Sequence, residues 1–162
     1  MRHNPTLAAA LALLIAALPA SAQTVAFGGV KADTSAPVEV SADSLSVDQG
    51  SGSATFTGKV VIGQGQMRLS ADKVTVEYGD SAKSRIRRLH ATGHVTLVSG
   101  PDAAEAAEAV YEVDSGTVTL TGNVMLAQGQ NMLSGNRMVV NLKTGSANVE
   151  GRVRSILQPG GN

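Results

Sequence analysis

Four glycines, Gly58, Gly93, Gly122 and Gly151, recur 35, 29 and 29 residues apart in one local frame, and nothing else in the chain constrains its fold as strongly. The positions two and four residues to either side of them read Ala54, Phe56, Val60, Ile62, then Leu89, Ala91, Val95, Leu97, then Val118, Leu120, Val124, Leu126, then Ala147, Val149, Val153, Ser155. Fifteen of these sixteen are apolar, whereas of the sixteen positions one and three residues away only Val61 and Met125 are. Alternation of this kind is period-two β-structure with one dry and one wet face, and its return at about thirty residues marks an internal repeat. The phase carries through each glycine, so the glycine does not end the strand as a hairpin turn would. It is expected on the dry face, where a missing Cβ lets the strand bend sharply and fold over into a second layer.

A second element recurs between the glycine-centred strands. Val40-Ser41-Ala42-Asp43-Ser44-Leu45-Ser46-Val47 returns as Leu69-Ser70-Ala71-Asp72-Lys73-Val74-Thr75-Val76 and again as Leu133-Ser134-Gly135-Asn136-Arg137-Met138-Val139-Val140. The unit is therefore a bent strand, a short turn, a Ser-Ala-Asp-like corner and a return strand. Turn segments at 48–52, 79–84, 114–116 and 143–145 are short enough to make neighbouring strands antiparallel. The segment 100–109, Gly-Pro-Asp-Ala-Ala-Glu-Ala-Ala-Glu-Ala, departs from the pattern. Its composition suits a helical turn capped by Asp102, while Ala107-Glu108-Ala109-Val110-Tyr111 equally suits a local corner and return strand.

Before the repeats, a basic start at Arg2 leads into an apolar run from Leu7 to Leu18 and then Ala20-Ser21-Ala22. Twelve apolar residues fall short of the roughly 20 that a membrane-crossing helix needs. A secretory signal peptide over 1–22, cleaved after Ala22, is expected, with an uncleaved inner-membrane anchor as the rival. The exported chain would hold 12 basic and 13 acidic residues, and no cysteine. Without a basic excess, nucleic-acid binding and broad docking on anionic membranes are not expected. Without disulfides, packing alone must hold a domain over 37–157, and 23–36 and 158–162 read as flexible ends.

No catalytic or metal-binding constellation stands out. His90 and His94 share the wet face roughly 13 Å apart, too far for both to reach one zinc at about 2 Å. Arg85, Arg87 and Arg88 form a basic cluster that suits either a solvated turn or contact with lipid phosphates or a partner's carboxylates. Gly63-Gln64-Gly65 lacks the Lys-Ser/Thr and following helix of a phosphate loop. Neither an enzyme activity, a cofactor nor a metal is expected.

The signal peptide, the repeated Thr-Gly-x-Val-x-apolar element (Thr57-Gly58-Lys59-Val60, Thr121-Gly122-Asn123-Val124), the Ser-Ala-Asp-x-apolar-x-Val return strand and the run Tyr111 to Leu126 resemble the OstA-like family over about Val38 to Leu157. The resemblance implies an all-β, open, twisted antiparallel β-jellyroll and a role in the periplasm, where lipopolysaccharide would be held by its lipid A acyl chains. It also implies head-to-tail joining of domains through edge strands, between an LptC-like inner-membrane protein and an LptD-like outer-membrane protein. The edges expected are the strands around Val38 to Val47 and Ser146 to Leu157. The family supplies no catalytic residues, so the groove candidates are inward positions of the repeat: Phe56, Val60, Ile62, Leu69, Val76, Leu89, Val95, Leu97, Val118, Leu120, Val124, Leu126, Leu133 and Val140. The competing expectation is a secreted structural or carbohydrate-binding β-repeat protein whose same residues pack as a closed core. A polysaccharide-acting enzyme on a β-solenoid would need acids clustered on one face, which the alternation does not provide.

Overall fold

The computed structural model describes the backbone of Thr24–Ala26 and residues 32–79 and 85–159 in full. The expected signal peptide lies outside the described residues. Among the described residues eleven strands form one antiparallel sheet: β1 (Thr24–Ala26), β2 (Glu39–Ser41), β3 (Ser44–Asp48), β4 (Ser53–Gln64), β5 (Met67–Tyr78), β6 (Ile86–Ser99), β7 (Asp102–Glu112), β8 (Thr117–Gln128), β9 (Asn131–Asn141), β10 (Ser146–Glu150) and β11 (Arg154–Ile156). From β4 to β10 each strand pairs with the next, a meander as the short turns predict.

At one end β2 and β3 both pair with β4, on its two halves, and at the other β10 and β11 both pair with β9. The sheet is thus two half-sheets joined along a crease. One contains β3, the halves paired with it in turn, and β10; the other contains β2, the remaining halves, and β11. Their apolar faces turn toward each other and share one core cluster. This is the open β-jellyroll that the resemblance to the OstA-like family implies.

The crease runs through the four repeat glycines, by a mechanism other than the one expected. Gly58, Gly93, Gly122 and Gly151 all have positive φ, and each is followed by a second positive-φ residue, Lys59, His94, Asn123 and Arg152. The pair forms a bulge: in β4, Gly58 and Lys59 stand opposite Asp72 alone, between the matched pairs Thr57↔Lys73 and Val60↔Ala71. Because two residues are looped out together, the in-and-out count survives. The glycines themselves are half-buried or exposed rather than on the dry face. A Cβ on Gly58 would lie 2.6 Å from Asp43 Oδ2, on Gly122 2.7 Å from the Ala107 Cβ, and on Gly151 2.8 Å from Asn136 Nδ2, while on Gly93 it would collide with Asp72. The missing side chain therefore makes room for the corner residue of the neighbouring strand, which is why the glycine and the Ser-Ala-Asp corner repeat together.

Return strands change phase at that corner. In β5, Met67, Leu69 and Ala71 are inward, then Val74 and Val76, with Asp72 and Lys73 both exposed between them. The irregular segment follows the same rule: β7 is a strand from Asp102, with inward Ala104 and Ala106, an outward Ala107-Glu108 corner, and inward Ala109 and Tyr111. Of the two readings of this segment, the helical turn is wrong. A Ser99↔Asp102 hairpin and ladders on both sides of β7 override its alanine-rich helix propensity. Within the span 23–36, Thr24–Ala26 pairs with β10, and the Asp33 carbonyl closes a turn by accepting the Ala36 N–H.

Candidate functional site: the apolar interior and its two ends

The structure brings all fourteen groove candidates to one surface. Val60, Ile62, Leu69, Val76, Leu89, Val95, Leu97, Val118, Leu120, Val124, Leu126 and Val140 are at most 3% exposed, and Phe56 and Leu133 pack against them half-buried. Fully burying one such side chain stabilises by about 1.5–3 kcal/mol, so the set supplies much of what a disulfide-free chain requires. Sequence reasoning passed over Met67, Val74, Met138, Leu142 and Tyr111, which are equally buried. Val74 and Met138 were findable, two residues before Val76 and Val140 on the same face. Tyr111 was not, because the register of its strand was open.

One polar chain crosses this interior. The Tyr111 hydroxyl, in one half-sheet, donates to Gln64 Oε1 at 2.7 Å in the other. Gln64 Nε2 donates to the carbonyls of Thr34 at 3.2 Å and Ala36 at 3.0 Å. Burial pushes the Tyr111 phenol above its ordinary range, partly offset by the bond to Gln64. Gln64 thus ties the rim of β4 both to the opposite half-sheet and to the 33–36 turn.

The ends of the roll are less complete. A recess of about 510 Å³ at the β3 end is lined by Leu45, Val47, Ala54, Phe56 and Tyr78. Another of about 230 Å³ at the β11 end is lined by Leu126, Met132, Leu133 and Leu157. The first edge is the one expected. At the second, β1 covers β10, so only the β11 half of the expected edge is open.

The outer face is a lattice of ion pairs. Arg87 meets Glu77 at 2.8 Å, Arg88 meets Glu112 at 2.5 Å, and Arg85 meets Asp114 at 2.8 Å, so the arginine cluster is a paired, solvated surface. His90 and His94 bond separately to Glu108 and Asp72. Asp72 holds the His94 imidazole above its ordinary pKa, first by the hydrogen bond and then by its charge. Among the described residues no group of three or more His, Cys, Asp or Glu is placed to hold a metal ion.

Comparison with known proteins agrees with this geometry. Residues 39–146 match the family model described as LptA/(LptD N-terminal domain) LPS transport protein. The lipopolysaccharide export system protein LptA of Escherichia coli K12 is 32% identical over 139 residues, covering 83% of this chain and 71% of that protein. An uncharacterised protein of Rhizobium meliloti is 29% identical over 157 residues, covering 91% of this chain and 84% of its own length. In fold, the crystal structure of LptH, the LptA-homologous periplasmic component of the lipopolysaccharide transport device of Pseudomonas aeruginosa, superposes with a TM-score of 0.70 at 22% identity, covering 79% of this chain and 99% of that one. A repeat-built, creased sheet with an apolar interior, matched over two thirds of its length by the family model and by LptA itself, places this chain in the LptA/LptD N-terminal domain family of lipopolysaccharide transport proteins.

Proposed function

We propose that this chain carries lipopolysaccharide across the periplasm, sheltering the lipid A acyl chains between its half-sheets. A lipid chain of about twelve carbons loses about 10 kcal/mol on entering water, at about 0.8 kcal/mol per methylene, so an aqueous compartment can be crossed only inside an apolar surround. The observation that carries the reading is the continuity of the inward surface, from Phe56 beside the open β3 edge to Leu133 beside β11. Phe56, Val60, Ile62, Leu69, Val76, Leu89, Val95, Leu97, Val118, Leu120, Val124, Leu126, Leu133 and Val140 are the proposed lipid contacts. Nothing in this role calls for catalysis.

The ends fit a bridge. An edge with unpaired backbone groups is either protected or used to add a strand. The β3 edge with exposed Leu45 and Val47, and the β11 edge with exposed Ile156 and Leu157, are the proposed joints. Through them the chain would join copies of itself head to tail and reach an LptC-like protein at the inner membrane and an LptD-like protein at the outer membrane. Export by cleavage after Ala22 would leave Thr24–Ala26 as the first strand.

The tight packing of the inward side chains favours a second reading, a closed core with no lipid. Photo-crosslinking from Leu126 in Gram-negative cells separates the two, scored with an antibody to lipopolysaccharide. The carrier gives an adduct, and Val60→Glu or Val124→Glu reduces it before either unfolds the domain. A closed core gives no adduct.

A further inference from the structure

Most of the inward face is lined by branched or long side chains, but β7, in the middle of the sheet, presents Ala104, Ala106 and Ala109. This stripe is flanked on its neighbours by Leu97 and Leu126 across from Ala104 and by Leu120 across from Ala109. At its rim end, on the same face, stands Asp102. Asp102 is 2% exposed, and its Oδ2 is buried without a hydrogen-bond partner. Ser99 and Gln128 pair with its backbone in register on β6 and β8. A buried acceptor left unpaired costs free energy that the fold does not recover, and the Asp102 carboxylate, unlike its backbone, serves neither the ladders nor the ion pairs of the outer face.

We propose that the alanine stripe of β7 is the slot for one acyl chain, and that Asp102 Oδ2 accepts a hydrogen bond from a hydroxyl carried on that chain a few atoms from its head. This rests on the lipid-carrier reading above and names the chemistry that the interior selects. The stripe from Asp102 to Ala106 is about 13 Å long, so a chain entering at the rim lies along small side chains while its polar portion stops at the acid. A hydroxyl supplies the donor that Asp102 lacks. A plain chain fills the same slot and leaves the carboxyl unpaired, so the site distinguishes chains that the rest of the apolar interior cannot.

The test is calorimetric titration of purified, delipidated protein with 3-hydroxytetradecanoic acid and with tetradecanoic acid. The hydroxylated acid is expected to bind about tenfold or more tightly. Asp102→Leu abolishes the preference without weakening the plain acid, and raises the melting temperature by about 4 °C because an unpaired buried acceptor is gone. Asp102→Asn, of nearly equal size, keeps an acceptor and retains a reduced preference. Equal binding of the two acids by the unaltered protein overturns the proposal and leaves the carrier reading standing. A melting temperature lowered by Asp102→Leu, with the preference intact in Asp102→Asn and in the unaltered protein alike, shows a structural acid and overturns the assigned role. Failure of both acids to bind, with no lipopolysaccharide adduct at Leu126, removes the carrier reading and the proposal with it.

Discussion

The first and second copies of the corner motif have nearly the same sequence and opposite fates. In Ser70-Ala71-Asp72-Lys73-Val74-Thr75-Val76 the two valines are at most 1% exposed, and β5 runs unbroken through the corner. In Ser41-Ala42-Asp43-Ser44-Leu45-Ser46-Val47, Leu45 is 55% and Val47 63% exposed, and the strand splits into β2 and β3. Both copies face Phe56: Val74 pairs with it from one side and Leu45 from the other. Val74 has a further neighbour, Ala91 on β6, and among the described residues Leu45 has no second strand beside it. Burial in this fold is thus a property of having strands on both sides, as in other repeat architectures. The ends are apolar by the same rule that makes the middle a core.

The largest effect should come from putting the same charge into each copy. Val74→Asp places an unpaired carboxylate among β4, β5 and β6, and is expected to cost at least about 4 kcal/mol. Leu45→Asp, already half in water, should stay within about 0.5 kcal/mol. Urea unfolding of both variants measures the contrast. Equal losses would mean that the β3 end is packed as tightly as the middle.

A smaller contrast lies along the crease. Gly58 and Gly122 share a φ of +84°, so alanine at either pays the left-handed penalty of about 1–2 kcal/mol. Beyond that they differ. At Gly58 the new methyl lies 2.6 Å from Asp43 Oδ2, which can rotate away at the open end, and the backbone-fixed Asp43 Cβ is 3.0 Å off. At Gly122 it meets the Ala107 Cβ, fixed to the backbone between two paired strands. Gly122→Ala should therefore cost about 3 kcal/mol and Gly58→Ala about 2 kcal/mol, read as the difference in urea midpoint. Identical costs would assign the whole effect to φ and remove the role of the corner residue.

Much of this architecture is legible in the sequence because a two-sided strand writes its burial into every second residue. The strands β4, β5, β6, β8 and β9 and the fourteen inward positions follow from that alternation and from the repeated corner element. What is not legible depends on the partner strand. Nothing about Gly58 itself says that its missing side chain faces Asp43 rather than the core, since that is a fact of register between two strands. The same holds for β7, whose alanines fit a helix until neighbours on both sides claim their backbone groups. Thr24–Ala26 is too short to show a period, and its pairing with β10 joins residues from opposite ends of the chain. Asp102 reads from sequence as a cap, and only the fold turns it inward.

The smallest expected effect also sits on the crease, where the second copy sets a histidine beside the corner carboxylate. The corner residue and the residue after the glycine are Asp43 with Lys59, Asp72 with His94, Ala107 with Asn123, and Asn136 with Arg152, so only the second copy couples a carboxylate to an imidazole. The His94 Nδ1 to Asp72 Oδ2 bond of 2.8 Å raises the folded-state pKa of His94 above its ordinary value of about 6.5. A group whose folded pKa is raised contributes stability that is fully present below the unfolded value and is lost as pH rises through the folded one. Stability from this pair should therefore be larger at about pH 5 than at about pH 8. The pair is exposed, so solvent screening keeps the change in urea midpoint small. NMR titration of His94 gives the sharper reading, with a midpoint above the ordinary value that falls back toward it in Asp72→Asn. A midpoint unmoved by Asp72→Asn would mean that the corner carboxylate serves only to seat beside Gly93, which would make the second crease electrostatically no different from the third.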